Sequence, residues 1–342
     1  MTRWALGLDS YSLRLQGWDA FAFIRYASEM GLDAVHFSER ANLASHDRSY
    51  LREVRDEARA RGVALEVGLG SIDRHAASFD PTYGTAEEQV TALIQAAAEV
   101  GSPIVRCFLG DRRDRAGAVP LGAHIEECER VIAAVAPVVR AHGVRLALEN
   151  HGGVDLLARE LRAIIERRGF DVVGACLDTG NPAYAGEDPL LAAEVLASYA
   201  LSTHVRDTAV WEAADGAMAQ WVPLGEGNAD LVGIRDLLVA QAPECPFDLE
   251  IITGSGPARV PYLTAAHAAL YPHVAAADAA RFACLARDGM RRGLGPRRQI
   301  LAVRGAITPP DTLERLRIQQ RADFESSVAY ARNRLHLGQR AA

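Results

Sequence analysis

RLALEN, residues 145–150, ends a short apolar run on a glutamate, and the same design returns in VGACLDTGN (173–181), LSTHVRD (201–207) and FDLEII (247–252). Each run reads as a short buried strand that leads into a loop and then a helical stretch. The polar residues concerned are Glu149, Asp178, His204 and Glu250, spaced about 30, 26 and 46 residues apart. Carboxylates and imidazoles at the carboxyl ends of consecutive strands are where a (β/α)8 barrel carries its chemistry. Two glutamates, one aspartate and one histidine make an oxygen-rich set with a single nitrogen. Such a set suits a hard divalent ion better than a thiol-ligated zinc. The expectation is therefore one metal ion held by Glu149, Asp178, His204 and Glu250, such as Mn²⁺, Mg²⁺ or Co²⁺, with Zn²⁺ also open.

Working outward, strand-like and helix-like runs alternate up to about residue 270. WALGLDS (4–10), AVHFS (34–38), VALEVGLG (63–70) and IVRCFLG (104–110) read as four earlier strands. Helices are expected over 17–31, 47–61, 85–100, 122–142, 154–167, 188–198 and 231–241. The third of these opens on a Thr85-Ala-Glu-Glu88 capping box. Eight strands alternating with helices give an α/β fold, a (β/α)8 TIM barrel over 1–275, with a helical C-terminal extension over 276–342 that packs on the barrel or on another subunit. In that extension Pro309 and Pro310 stand where a helix would begin, and Leu313, Leu316, Phe324, Val328, Ala331 and Leu335 share one helical face. The stretch 208–230 is expected to be a long loop that serves as a lid or binding loop. Leu224-Gly225-Glu226-Gly227 within it could bring backbone amides to a ligand.

Composition narrows the function. The 37 basic residues are all arginine, so Schiff-base chemistry on a lysine is excluded. Residues 281–342 carry 13 Arg against 5 Asp and Glu, so the net charge of −7 leaves −15 on the remainder. An acidic body argues against nucleic acid as a partner. No Gly-rich dinucleotide fingerprint or nucleotide-triphosphate loop is present. The five cysteines are dispersed with no C-x-x-C pair, which favours reduced thiols and a cytoplasmic setting. The opening MTRWALGLDS lacks the pattern of a secretory leader, and no apolar run reaches the ~18 residues of a membrane span, so no membrane association is expected.

Around the quartet stand further candidates. His151, two residues beyond Glu149, could act as a base. Arg206 shares a strand face with His204 and could hold a substrate oxygen. His36 and Arg106, on strands two and four, and Asn181 are the other candidate substrate contacts.

LALENHGG, CLDTGNP, THVRD, VPLGEGNADL and LEI, in this order, resemble the xylose isomerase-like TIM-barrel superfamily, the sugar phosphate isomerase and epimerase group. The resemblance covers roughly residues 4–270. It implies that Glu149, Asp178, His204 and Glu250 hold one divalent metal, often Mn²⁺, and that the glutamates Glu149 and Glu250 act as acid and base on opposite faces of a sugar. Departures matter. The 3-epimerases of free ketoses usually carry a histidine three residues after the strand-six aspartate, where this chain has Asn181. Their strand-five glutamate is not normally followed by an x-His as in Glu149-Asn-His151. DNA-repair members of the superfamily need extra histidines that strands four and six lack here.

Three functions remain open at this level. The first is a metal-dependent isomerase or epimerase that abstracts a proton next to a carbonyl of a sugar or sugar derivative. The second is a lyase using the same enolate chemistry: a keto-cyclitol or dehydroshikimate-type dehydratase, or a C-glycoside deglycosidase subunit that cleaves a 3-oxo-glycoside with a small partner subunit. The third is a non-catalytic binding barrel. A carbohydrate ligand and a homo-oligomer are expected.

Overall fold

The computed structural model describes residues 4–153, 155–302 and 308–338. Seven parallel strands follow one another round a barrel: β1 (Leu6–Asp9), β2 (Ala34–Phe37), β3 (Ala64–Ser71), β4 (Ile104–Phe108), β5 (Arg145–Glu149), β6 (Val173–Asp178) and β7 (Ala200–His204). The antiparallel pair β8 (Asp207–Ala213) and β9 (Gly216–Val222) comes next in the chain. The eighth barrel strand, β10 (Phe247–Leu249), pairs with β1, and β11 (Ala258–Val260) adds to β9. A bridge between Val205 and Leu249 closes the ring. There the Val205 N–H donates to the Asp248 carbonyl at 2.7 Å, and the Glu250 N–H to the Val205 carbonyl at 3.0 Å. The eight strands expected from the sequence are the eight barrel strands.

The helices are α1 (Ala20–Glu29), α2 (Arg48–Arg61), α3 (Ala86–Val100), α4 (Arg112–Arg115), α5 (Leu121–His142), α6 (Ala158–Arg168), α7 (Pro189–Leu196), α8 (Leu231–Gln241), α9 (Ala265–Leu270), α10 (Ala276–Arg291) and α11 (Pro310–Asn333). The capping box before α3 is formed: the Thr85 N–H donates to Glu88 Oε2 at 2.8 Å, and the Glu88 N–H to Thr85 Oγ1 at 3.3 Å. The helix expected over 154–167 is α6; residue 154 lies outside the described residues.

Strand alternation sorts the side chains. Leu6, Leu8, Val35, Phe37, Val67, Val105, Leu146, Leu148, Leu177 and Leu249 point outward and join the helices in one large core. The inward set is different. Ile104, Ala147, Cys176 and Leu201 form a small apolar cluster of their own. The rest of the inward positions, among them Asp9, His36, Glu66, Arg106, Glu149, Asp178, His204 and Asp248, are polar yet buried. Barrel interiors are ordinarily filled by Val, Ile and Leu, so a polar interior points to function.

Two expectations need correction. Residues 208–230 are not a structureless loop. They hold the β8–β9 hairpin, turned between Ala213 and Gly216. Nor are the amides of Leu224-Gly225-Glu226-Gly227 free for a ligand. Gly225 and Gly227 donate to Asp207 Oδ2 at 2.9 and 3.0 Å. The buried Asp207 carboxylate needs those donors, and it claims the amides first.

The C-terminal extension folds onto its own chain. Leu316, Phe324, Val328, Ala331 and Leu335 are buried, and Leu313 is half-buried. Arg317 Nε donates to the Leu15 carbonyl at 2.7 Å, which ties α11 to the turn after β1. Helix α10 lies so close on β8 that a Cβ at Gly289 would come within 1.7 Å of the Val210 carbonyl oxygen. Gly289→Ala is expected to destabilise the fold by about 1–3 kcal/mol through overpacking, read by denaturant unfolding. An unchanged midpoint would mean that α10 can move off the hairpin at no cost.

Candidate metal centre and its cavity

Glu149 closes β5, Asp178 closes β6, His204 closes β7, and Glu250 follows β10. The chain separates them widely, but one donor atom from each lies within 4.8 Å of the others, and all four residues are buried. His204 Nδ1 is 3.2 Å from Glu149 Oε2 and 3.3 Å from Glu250 Oε2. That nitrogen has no hydrogen-bond partner.

Two arginines offset part of the negative charge. Arg106 Nε donates to Glu149 Oε2 at 2.5 Å. A terminal nitrogen of Arg206 contacts both Asp178 Oδ2 and Glu250 Oε2. Burial opposes ionisation of Glu149, yet Arg106 and His204 hold it well below the usual carboxylate range. Burial pushes Glu250 up to about 7 in spite of Arg206 and His204. Burial also opposes charge on His204, but Cys176, Glu149, Glu250 and Asp9 together hold its proton affinity well above the ordinary imidazole range. The cluster thus draws positive charge to the point where a metal ligand stands. Donor set, convergence and unsatisfied nitrogen all fit one divalent ion.

The neighbours of the quartet are pinned. Asn150 cross-links the ends of β5 and β6: its Oδ1 accepts from the Asp178 N–H and its Nδ2 donates to the Asp178 carbonyl, both at 2.9 Å. Asp178 Oδ1 accepts from the Gly180 and Asn181 amides at 2.7 Å each. One oxygen therefore serves as a turn cap, and the other faces the centre. Asn181 Nδ2 donates to Glu149 Oε1 at 3.3 Å and to the Asn150 carbonyl at 3.0 Å.

Above the quartet opens a cavity of about 690 Å³. Glu250, His151, Arg106, Arg206 and Asn181 line it; Glu149, Asp178, His204 and His36 lie behind the wall. His151 Nδ1 donates to the Gly110 carbonyl at 2.7 Å, because a carbonyl can only accept, so Nε2 keeps the lone pair. Burial pulls His151 down to about 4 and leaves it neutral at pH 7. His151 stacks on Phe108 at 3.7 Å between ring centroids, and Arg206 lies over Trp221 at 4.8 Å.

Phe108 and Trp221 were not anticipated as cavity walls. Alternation with Arg106 marks Phe108 as inward-facing; Trp221 becomes visible only once the hairpin is known. His36 is fully buried beneath the cavity, where Asp9, Glu66 and Asp248 surround it. The alternation that turns Glu250 inward also turns Asp248 inward, so that signal was present in the sequence.

Asp155 anchors the loop that carries His151. It accepts from the His151 N–H at 2.8 Å, the Gly110 N–H at 2.9 Å and the Leu156 N–H at 2.6 Å. Burial nevertheless pushes it up to about 8. Its native form therefore binds a proton more tightly than the unfolded chain does. The stability this supplies is full below pH ~4 and is lost as pH rises through about 8. Asp155→Asn is expected to flatten the decline in melting temperature between pH ~5 and 8. An unchanged slope would assign that decline to other groups.

Comparison with known proteins now places the chain. The xylose isomerase-like TIM barrel profile matches residues 24–273, and the chain belongs to that family. It is 22% identical over 188 residues to a 3-oxo-isoapionate decarboxylase of Pectobacterium atrosepticum, a match over 55% of this chain and 60% of that protein's length. Among solved structures it is similar to the D-psicose 3-epimerase of Clostridium cellulolyticum H10 with D-tagatose, at TM-score 0.59 and 15% identity over 95% of this chain and 99% of that one. A xylose isomerase-like TIM-barrel protein from Mycobacterium smegmatis in complex with magnesium gives TM-score 0.55 and 16% identity over 84% and 98%. At these identities the structural likenesses speak for the fold. Among the described residues, no helix is long and apolar enough to cross a membrane.

Proposed function

We propose that the protein is a divalent-metal-dependent isomerase or epimerase of a sugar or sugar derivative, acting by proton abstraction next to a carbonyl. One observation carries this reading: a buried quartet of metal-ligand type directly behind a cavity of about 690 Å³ whose wall bears Glu250 and a neutral His151. Glu149, Asp178, His204 and Glu250 would hold the ion, Mn²⁺ in the first place, and it would polarise a substrate carbonyl and the adjacent hydroxyl.

The side chains divide the remaining work. Glu250 is the quartet carboxylate that reaches the cavity, which puts it within range of a substrate proton. Glu149 stays anionic against Arg106 and lies behind the wall, which suits a ligand better than a proton carrier. His151 offers Nε2 as an acceptor for a substrate hydroxyl proton. Arg206, Arg106 and Asn181 present donors to substrate oxygens, and Phe108 and Trp221 offer flat apolar faces to a sugar ring and exclude water. Returning the proton to the neighbouring carbon isomerises the substrate; returning it to the opposite face epimerises it.

A second reading, a lyase that breaks a bond next to the same enolate, draws on the decarboxylase relative and on His151 two residues after Glu149. The protein supplied with Mn²⁺ should be incubated in D₂O with ketopentoses, ketohexoses and 3-oxo sugar acids and followed by proton NMR. Deuterium entering next to the carbonyl at constant carbon count supports the isomerase. Loss of carbon dioxide, water or an aglycone supports the lyase. No exchange with any member of the panel counts against both. Activity of the purified chain alone would remove the need for a small partner subunit.

A further inference from the structure

We propose a second divalent-cation site deeper in the barrel, formed by His36, Glu66 and Asp248, whose donor atoms all lie within 4.8 Å of one another, with Asp9 beside it and the ring of His204 between it and the quartet. It lies outside the proposed function and uses none of the four quartet residues as its own ligands. Asp9 ends β1, His36 lies in β2, Glu66 in β3 and Asp248 in β10, and these strands are neighbours round the barrel. His36 Nδ1 is 3.9 Å from Asp9 Oδ2, 3.6 Å from Glu66 Oε2 and 4.0 Å from Asp248 Oδ2. The Ser202 hydroxyl adds an oxygen 3.4 Å from the same nitrogen. One imidazole nitrogen among carboxylate and hydroxyl oxygens is again a set for a hard divalent ion.

What distinguishes this cluster from an ordinary acidic group is what its atoms lack. Both carboxylate oxygens of Asp248, and His36 Nε2, have no hydrogen-bond partner, and the nearest nitrogen to Asp9 Oδ2 is His204 Nε2 at 3.3 Å. All three residues are completely inaccessible to solvent. Buried carboxylate oxygens without donors cost several kcal/mol unless a cation or a proton meets them. The chain also makes room for Asp248, because a Cβ on Gly7 would stand 1.7 Å from its Oδ1.

Charge gives an independent argument. Within the barrel, the carboxylates of Asp9, Glu66, Glu149, Asp178, Asp248 and Glu250 face the guanidinium groups of Arg106 and Arg206. Fully ionised, these six carboxylates exceed the two guanidinium groups by four negative charges; one divalent ion in the quartet halves that excess, and a second ion, or protons on the buried carboxyls, removes the rest. His204 joins the two sites, with Nδ1 turned to Glu149 and Glu250 and Nε2 3.3 Å from Asp9 Oδ2 and from His36 Nδ1. Burial and the neighbouring acids push Asp248 well above the usual carboxylate range, and burial raises Glu66 to about 7. A proton shared between these two is therefore the competing way to neutralise the cluster.

The test is the metal count of the full-length protein, produced in Mn²⁺-supplemented medium, purified without chelator and weighed by native mass spectrometry. Two ions per chain are expected in the wild type and one in Asp248→Asn. Glu66→Gln, a milder change, is expected to give one as well and serves if Asp248→Asn does not fold. Asp178→Asn is expected to keep one, the deep ion. A wild type with one ion that Glu66→Gln retains overturns the proposal in favour of the shared proton, and a wild type with none overturns it too. One ion lost in Glu66→Gln but kept in Asp178→Asn upholds the deep site and sinks the quartet.

Discussion

Glu250→Gln is expected to lower kcat/KM about 10³-fold or more while the protein stays folded. Proton transfer by a positioned side chain contributes about 10²–10⁴-fold, and here the same substitution also weakens the metal centre. Among the three quartet carboxylates, only that of Glu250 reaches the cavity wall. Glu149→Gln should behave differently. Glu149 lies behind the wall and neutralises Arg106, so its loss strands a buried guanidinium. The expected signature is weaker metal binding together with lower stability, rather than a loss confined to kcat. Steady-state kinetics at saturating Mn²⁺, beside thermal unfolding, separates the two. If Glu250→Gln kept full activity on every substrate that turns over, the assignment of Glu250 as proton carrier would be wrong.

The second large effect falls on Arg206. Its guanidinium is buried between Asp178 and Glu250. Removing one member of a buried ion pair costs about 3–5 kcal/mol, because the partner charge is left uncompensated. Arg206→Met is therefore expected to lose about that much stability in the presence of chelator. Mn²⁺ supplies the missing positive charge between the same two carboxylates, so it should restore most of the loss. Chemical denaturation with EDTA and with Mn²⁺ measures both arms. Equal destabilisation in the two conditions would mean that the ion does not take the place of the guanidinium.

The barrel was legible in the sequence for a physical reason, and so was the convergence of the four candidate ligands at its mouth. A buried parallel strand is an uninterrupted apolar run, and a carboxylate at its end has no role in packing, so RLALEN and FDLEII announce both strand and site. The hairpin was also written there. Asp215-Gly216 between the β-favouring stretches around Trp211 and Trp221 is a turn signal, and it outweighs the loop that the length of the segment suggests. The amides of Gly225 and Gly227 could not be assigned from sequence, since their acceptor, Asp207, meets them only once β8 has turned back on the barrel. The deep cluster was illegible for a related reason. Glu66 and Asp248 are each single inward positions on separate strands, and only barrel closure through Val205 and Leu249 brings both of them to His36. His36 showed the same limit: its strand was correct, but its depth along the barrel axis was invisible.

The central claim is that Glu149, Asp178, His204 and Glu250 hold a divalent ion. Its most direct test is metal analysis by mass spectrometry of the wild type and of the Asp178→Asn/Glu250→Gln double variant, both purified without chelator and offered Mn²⁺. The account predicts one divalent ion fewer per chain in the double variant, which keeps its helical circular dichroism at a lower melting temperature because Arg206 loses both carboxylate partners. Equal metal content in the two folded proteins, or no metal in the wild type even with Mn²⁺ in excess, would contradict it.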